Sequence, residues 1–117
     1  MGGVTDAMTW ETYVDSPYPS FHEFHKAPCL NWARLAYFGE LCFPRDKLPD
    51  IRDRLPDWWL APIKAQNWND LCDSFIITAE CDPLRDEAES YGMKLIAGGN
   101  KVQFKRFVLF QVKLESF

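Results

Sequence analysis

The sequence predicts an α/β fold built around a strand–helix–strand unit, on three observations. Phe75 to Ala79 is a short, continuously apolar and β-branched run. Leu84 to Ala97 follows with apolar residues at helical spacing. Val102 and Phe104 then alternate with Gln103 and Lys105. Strand, helix and strand joined by short connections make a βαβ unit, parallel and right-handed by default. An uninterrupted apolar strand predicts cover on both of its faces.

The chain of 117 residues suits one small domain, 1–117. It is 47% hydrophobic and 15% aromatic, with five Trp and nine Phe, which excludes a disordered chain. So many aromatics imply a dense aromatic core or apolar surface reserved for a partner. The formal net charge of −4 and the absence of a Lys/Arg stripe argue against nucleic-acid binding. No run of about 18 apolar residues occurs, so no membrane span is predicted. Met1 to Trp10 lacks a basic and an apolar region, so no signal peptide is expected, and Asp6 departs from a myristoylation pattern. Cys29, Cys42, Cys72 and Cys81 form no C-x-x-C pair. Buried thiols in a reducing compartment, the cytoplasm, are therefore expected, and no zinc ribbon.

Taken in order, residues 1–27 read as mostly irregular. Asp15 to Ser20 is turn-rich, and "FHEFHKAP" reads as a loop leading into a helix. Asn31 to Phe43 is the first helix, with Asn31 as its N-cap. Leu35, Phe38 and Cys42, flanked by Trp32, Ala36 and Phe43, make a wide apolar stripe that predicts a mostly covered helix. Pro44 ends it. Pro44 to Asn67 reads as a surface connection with one weak helical turn at most. Trp58 and Trp59, taken as extended chain, cannot share a face, so at least one is expected at an edge or an interface. In the helix Leu84 to Ala97, the buried face is Ala88, Tyr91, Leu95 and Ile96, and Gly98-Gly99 stops it. The last strand is Lys101 to Leu114. Residues 1–67 thus hold a helix and loops, and 68–117 the strand–helix–strand unit.

The chemistry gathers where the first strand meets its helix, in Cys81-Asp82-Pro83-Leu84-Arg85-Asp86-Glu87. Functional groups of parallel sheets collect just beyond the carboxyl ends of strands, where Asp82 lies. Two readings stand open for it: a helix cap with Pro83 at N1, or a catalytic acid. Arg85 reads as an ordinary surface ion-pair partner. His22 and His25 are spaced H-x-x-H without a third ligand nearby, so neither a metal site nor a cofactor is expected. Cys81 has no base following it to make it a nucleophile.

The D-P-L-R-D-E run, in order with its flanks, resembles the hormone-sensitive-lipase-like family of α/β-hydrolases, carboxylesterases with an extra helical cap. "YPSFHEFHKAPCLNWARLAYF" resembles the family's segment between core strand and cap helix. "WWLAPIKA" is similar to its "SPLLAP" stretch, and "YGMKLIAGGNKVQFKRF" to its late helix and last strand. "VTDAM" is like the "PVTD" of fungal members. The resemblance implies a partial α/β-hydrolase fold, a cap-region helix plus a carboxyl-terminal βαβ unit. It implies Asp82 as the acid of a Ser-His-Asp triad, with Asp86 and Glu87 supporting the turn and helix start. It also implies Trp32 and Phe38 as walls of an acyl pocket, and a small ester as substrate.

The rest of that machinery does not occur in these residues. Ser16, Ser20, Ser74, Ser90 and Ser116 lack the glycines of G-x-S-x-G, and no H-G-G-G run is present. Both are expected upstream of Met1. His22 and His25 precede Asp82, whereas the family's histidine follows the acid, and the resemblance breaks near Val108. The expectation is a fragment carrying the acid and inactive alone. The alternative is a non-catalytic interaction module that pairs with another hydrolase chain, or with itself, through an exposed strand edge.

Overall fold

Strands β1 (Ser74–Ala79) and β2 (Val102–Phe107) pair in parallel, joined by the helix expected over Leu84 to Ala97. The structure, a computed structural model, describes residues 13–108. In chain order before β1 stand α1 (Pro19–Glu23), α2 (Trp32–Cys42), α3 (Leu48–Arg54), α4 (Asp57–Leu60) and a 3₁₀ turn at Pro62–Lys64. α5 (Arg85–Ala97) links the strands. Register runs from Ser74 opposite Val102 to Ala79 opposite Phe107. The expected strand residues beyond 108 lie outside the described residues.

The sheet is covered on one side. Gly92 of α5 sits so close to it that a Cβ there would lie 2.5 Å from the Phe104 ring and 3.3 Å from Ile76 Cγ1. Ile76 and Phe104 are ladder partners, so one small residue on α5 seats the helix over both strands. On the other face Phe75 and Ile77 remain 57% and 62% exposed. The predicted double cover is therefore corrected. An apolar run records what a strand can bury, whereas the covering element must come from elsewhere in the fold.

α5 ends as its glycines foretell. The Asn100 N–H reaches the Leu95 carbonyl at 3.1 Å and the Gly99 N–H the Ile96 carbonyl at 2.9 Å. This is a Schellman ending, with Gly99 at φ +91°, a conformation that suits a residue without Cβ. The Asn100 side chain then donates to the carbonyls of Trp68 and Leu95, at 2.6 and 2.9 Å, and accepts from the Leu71 N–H at 2.8 Å. One amide thus ties the approach to β1 to the exit from α5. Leu95 is buried as expected, Ala88 and Tyr91 are half-buried, and Ile96 is exposed. Tyr91 instead meets Trp68 edge-on at 5.3 Å.

α2 begins as predicted, the Asn31 side chain accepting from the Arg34 N–H at 2.9 Å. Its buried residues are Trp32, Leu35 and Gly39, while Tyr37, Phe38, Leu41 and Cys42 are exposed. The wide stripe is half used. Trp32 and Leu35 close an aromatic cluster with Tyr13 and Phe21, in which Tyr13 meets both rings edge-on at 5.1 and 5.4 Å. Such pairs add about 0.5–1.5 kcal/mol beyond area burial. Burial pushes the Tyr13 phenol up to about 12.

Other expectations need correction. "PSFHE", read as part of a loop, is helix α1, started by Pro19 in the first turn. The connection from Pro44 holds α3 and α4, more helix than one weak turn, because Pro49 and Pro56 fall at helix starts rather than interiors. Trp58 and Trp59 lie within α4 and are both exposed, their rings 5.9 Å apart. Cys29, Cys42 and Cys72 are exposed and Cys81 half-buried, not core thiols.

Gly92→Ala is expected to destabilise the fold by about 1–3 kcal/mol through overpacking against Phe104, outweighing the roughly 1 kcal/mol gain in helix propensity. Urea denaturation followed by circular dichroism measures it, and an unchanged or higher midpoint would contradict the close approach.

Candidate functional site

Asp82 stands just past the carboxyl end of β1, held by a turn. Its Oδ1 accepts from the Leu84 N–H at 2.9 Å, and its carbonyl accepts from the Arg85 N–H at 3.1 Å. Pro83 occupies the second position of this turn, where its fixed φ fits. The N-cap of α5 is Leu84 and its side chain makes no capping bond. The capping reading is thus corrected in place: Asp82 caps its own turn, and Arg85, not Pro83, opens the helix. Among the described residues Asp82 Oδ2 accepts no hydrogen bond, so one oxygen is fixed and one is open.

Two neighbours brace the turn. Asp86 Oδ2 accepts from the Ser20 N–H at 2.8 Å, and the Asp86 N–H donates to Ser20 Oγ at 2.9 Å. The same hydroxyl donates to the Pro83 carbonyl at 3.1 Å. Arg85 is not the surface ion-pair partner expected from its position. Its Nε donates to Asp86 Oδ1 at 3.0 Å, its Nη1 to the Glu80 carbonyl at 2.8 Å, and its guanidinium lies 5.6 Å from the Phe24 ring centre. It thereby bridges the end of β1 to the start of α5.

Burial alone would raise the Asp86 pKa, but hydrogen bonds from Arg85 and Ser20 outweigh it and hold the carboxyl below its ordinary value. Glu87, also in the first turn of α5, lies near Tyr18, whose phenol is raised by burial first and by the Glu87 charge second. Glu89 was not singled out by the sequence. It accepts from the buried Thr78 hydroxyl at 2.8 Å and takes a two-pronged pair from Arg106, one arm at 2.9 Å to Oε2 and the other to Oε1. The Arg106 hydrogen bonds lower the Glu89 pKa.

The remaining expected residues are spread out. Trp32 is 8% exposed within the aromatic cluster and donates its indole N–H to the Phe21 carbonyl at 2.6 Å. Leu84, two residues beyond Asp82, packs against that cluster. Phe38 is 52% exposed, beside Tyr37. His22 Nε2 faces the Ser16 carbonyl and His25 Nδ1 the His22 carbonyl, each at 2.7 Å, so these nitrogens donate to backbone. Among the described residues no three His, Cys, Asp or Glu gather as a metal site. Ser20 was missed because its partners lie more than sixty residues away.

A parallel strand that delivers a braced carboxylate to the start of a helix places the chain among α/β proteins with functional groups beyond the strand ends. The chain belongs to the alpha/beta hydrolase fold family, whose profile matches residues 6–108. It is 34% identical over 107 residues to Esterase LipI of Mycobacterium tuberculosis, covering 88% of this chain and 32% of that protein. Among solved structures it is similar to the esterase of Pyrobaculum calidifontis, with TM-score 0.65, 32% identity and coverage of 80% and 29%. It is also similar to a fungal esterase of Rhizomucor miehei, with TM-score 0.62, 31% identity and coverage of 78% and 27%. The chain spans between a quarter and a third of the length of the curated relatives it matches, 32% and 27%. No helix among the described residues is long and apolar enough to cross a membrane.

Because Asp86 and Glu89 both have lowered folded pKa values, each contributes stability that is present above its unfolded pKa of about 4 and lost as pH falls through the folded value. The urea midpoint is expected to hold from neutral pH to about 5 and then fall. Asp86→Asn should flatten part of that slope, and a midpoint unchanged down to about pH 3 would contradict these pairings.

Proposed function

We propose that this chain is the carboxyl-terminal part of a serine carboxylesterase in which Asp82 is the acid of a Ser-His-Asp triad. The supporting observation is the state of its carboxylate, just past the end of β1: one oxygen is anchored to the Leu84 N–H, and the other takes no hydrogen bond among the described residues. An acid so held can accept the Nδ1–H of a histidine, keep the imidazole in the tautomer that deprotonates the serine, and stabilise the imidazolium. The esterase relatives support ester hydrolysis as the reaction class; a Ser-His-Asp triad would perform it on small carboxylic esters through an acyl-enzyme. Asp86 and Glu87 serve the turn and the helix start. Phe38 is one of the exposed residues of α2 available to an acyl chain, with Trp32 anchoring that helix from the core. Residues 1–67 form the cap-proximal part and 68–117 the strand–helix–strand part of one partial domain. The Rhizomucor likeness and "VTDAM", outside the described residues, support a fungal member, and the unbridged thiols support a cytoplasmic one.

With the acid but neither G-x-S-x-G nor a later histidine, the 117-residue chain alone is expected to give no saturable turnover of p-nitrophenyl acetate. Saturable turnover abolished by Asp82→Ala would overturn this. Supplying a second polypeptide that carries the serine and histidine segments is expected to yield turnover that Asp82→Ala lowers on the order of 10⁴-fold. Unchanged turnover in that variant would remove Asp82 from the triad.

A second reading, a non-catalytic module that pairs with another hydrolase chain or with itself, is favoured by the open sheet face at Phe75, Ile77 and Phe107. It is expected to show concentration-dependent association in sedimentation, and a monodisperse monomer at all concentrations would exclude self-association.

A further inference from the structure

We infer that Ser20 is the positioning residue of the Asp82 turn, acting as a helix cap supplied from a distant segment. In catalytic terms the inference rests on Asp82 as the triad acid; in structural terms it stands on the hydrogen bonds alone. α5 begins at Arg85, so the Asp86 N–H belongs to the first turn, where no intrahelical carbonyl can accept it. The usual remedy is an oxygen on the N-cap side chain, accepting from the second or third N–H. Leu84 has none. Ser20 Oγ takes that place from 66 residues earlier, accepting at 2.9 Å.

The exchange is reciprocal. Ser20 lies in the first turn of α1, whose N-cap Tyr18 makes no side-chain capping bond. The Ser20 N–H is satisfied by Asp86 Oδ2 at 2.8 Å. Each helix therefore caps the other. Ser20 Oγ also uses its proton, donating to the Pro83 carbonyl at 3.1 Å. A hydroxyl can donate and accept at once, which a methyl cannot. Its two bonds fall on Pro83 and Asp86, one and four residues after Asp82, so the turn that aims the carboxylate is fixed from outside its own loop. Ser20 is wholly buried at 0% exposure, so no water at its surface can stand in for the lost partner.

The consequence is local, and that makes it measurable. Amide hydrogen exchange on the ¹⁵N-labelled full chain reads the turn directly through the Leu84 N–H, which bonds Asp82 Oδ1, and through the Asp86 N–H. Ser20→Ala is expected to speed exchange at Leu84 and Asp86 at least ~10-fold, with Gly92 and Leu95 in the body of α5 changed less than ~3-fold. Ser20→Cys, which fills the site but hydrogen-bonds weakly, is the second variant should the alanine form not fold. It is expected to show the same local pattern. Protection at Leu84 that survives in the folded variants would overturn the inference. So would loss spread evenly through β1 and α5 in the cysteine variant, since Ser20 would then hold the fold and not the turn. The readout needs no turnover. Failure of Asp82→Ala to lower reconstituted esterase activity would remove the triad reading and leave this result standing, and a protected Leu84 would do the reverse.

Discussion

The hydrogen bonds exchanged between Ser20 and Asp86 are the constraint on which the rest of the polar architecture depends. Two helix starts whose N-cap side chains make no capping bond each find a hydrogen-bond partner in the other. The contact fixes α1 against α5 before any apolar packing is counted. It leaves Asp86 with its second oxygen for Arg85, and Arg85 with its second arm for the Glu80 carbonyl. The end of the strand, the turn and the first helical turn are thus linked in one chain of charge-assisted bonds. Such bonds are stronger than neutral ones, and in a half-buried setting they are less screened by salt.

A second polar link lies one helical turn further along α5. Glu89 joins Thr78 of β1 to Arg106 of β2, residues that face each other across the ladder. The helix is therefore fastened to the sheet by the Glu89 carboxylate and by the tight Gly92 contact near its middle. Opposite these, the sheet offers Phe75 and Ile77 to solvent. The asymmetry is local: one face is covered by the helix between the strands, and among the described residues the other leaves apolar side chains exposed.

Much of the βαβ unit was legible in the sequence. The strand and helix bounds moved by a residue at most at β1 and α5, because apolar runs, an acidic first turn and a Gly-Gly ending are local signals. The Asn31 cap was legible for the same reason. What failed was non-local. Double cover of β1 and a mostly covered α2 assumed neighbours that periodicity cannot name. The helix at Pro19 was hidden behind prolines and histidines that also suit loops. At the candidate site, Asp82 was legible through its strand-end position and the D-P-L-R-D-E resemblance, and Asp86 through its place in the helix start. Ser20 and Glu89 were not, since each earns its role from partners on other elements. Arg85 was misjudged for a related reason: sequence shows the acid beside it, but not the carbonyl and the ring that also hold it.

Asn100 carries an evolutionary consequence for the short link from α5 to β2. That link runs only from Gly98 to Lys101, and the Asn100 amide closes it onto both Trp68 and Leu95. Strand side chains alternate faces, so gaining or losing one residue here would swap the whole of β2. Phe104 would leave its seat beneath Gly92, and Gln103 after an insertion, or Lys105 after a deletion, would enter it. Substitutions can accumulate along β2 one at a time, but a single insertion in this link would turn the strand inside out, so length here is far less free to drift than composition.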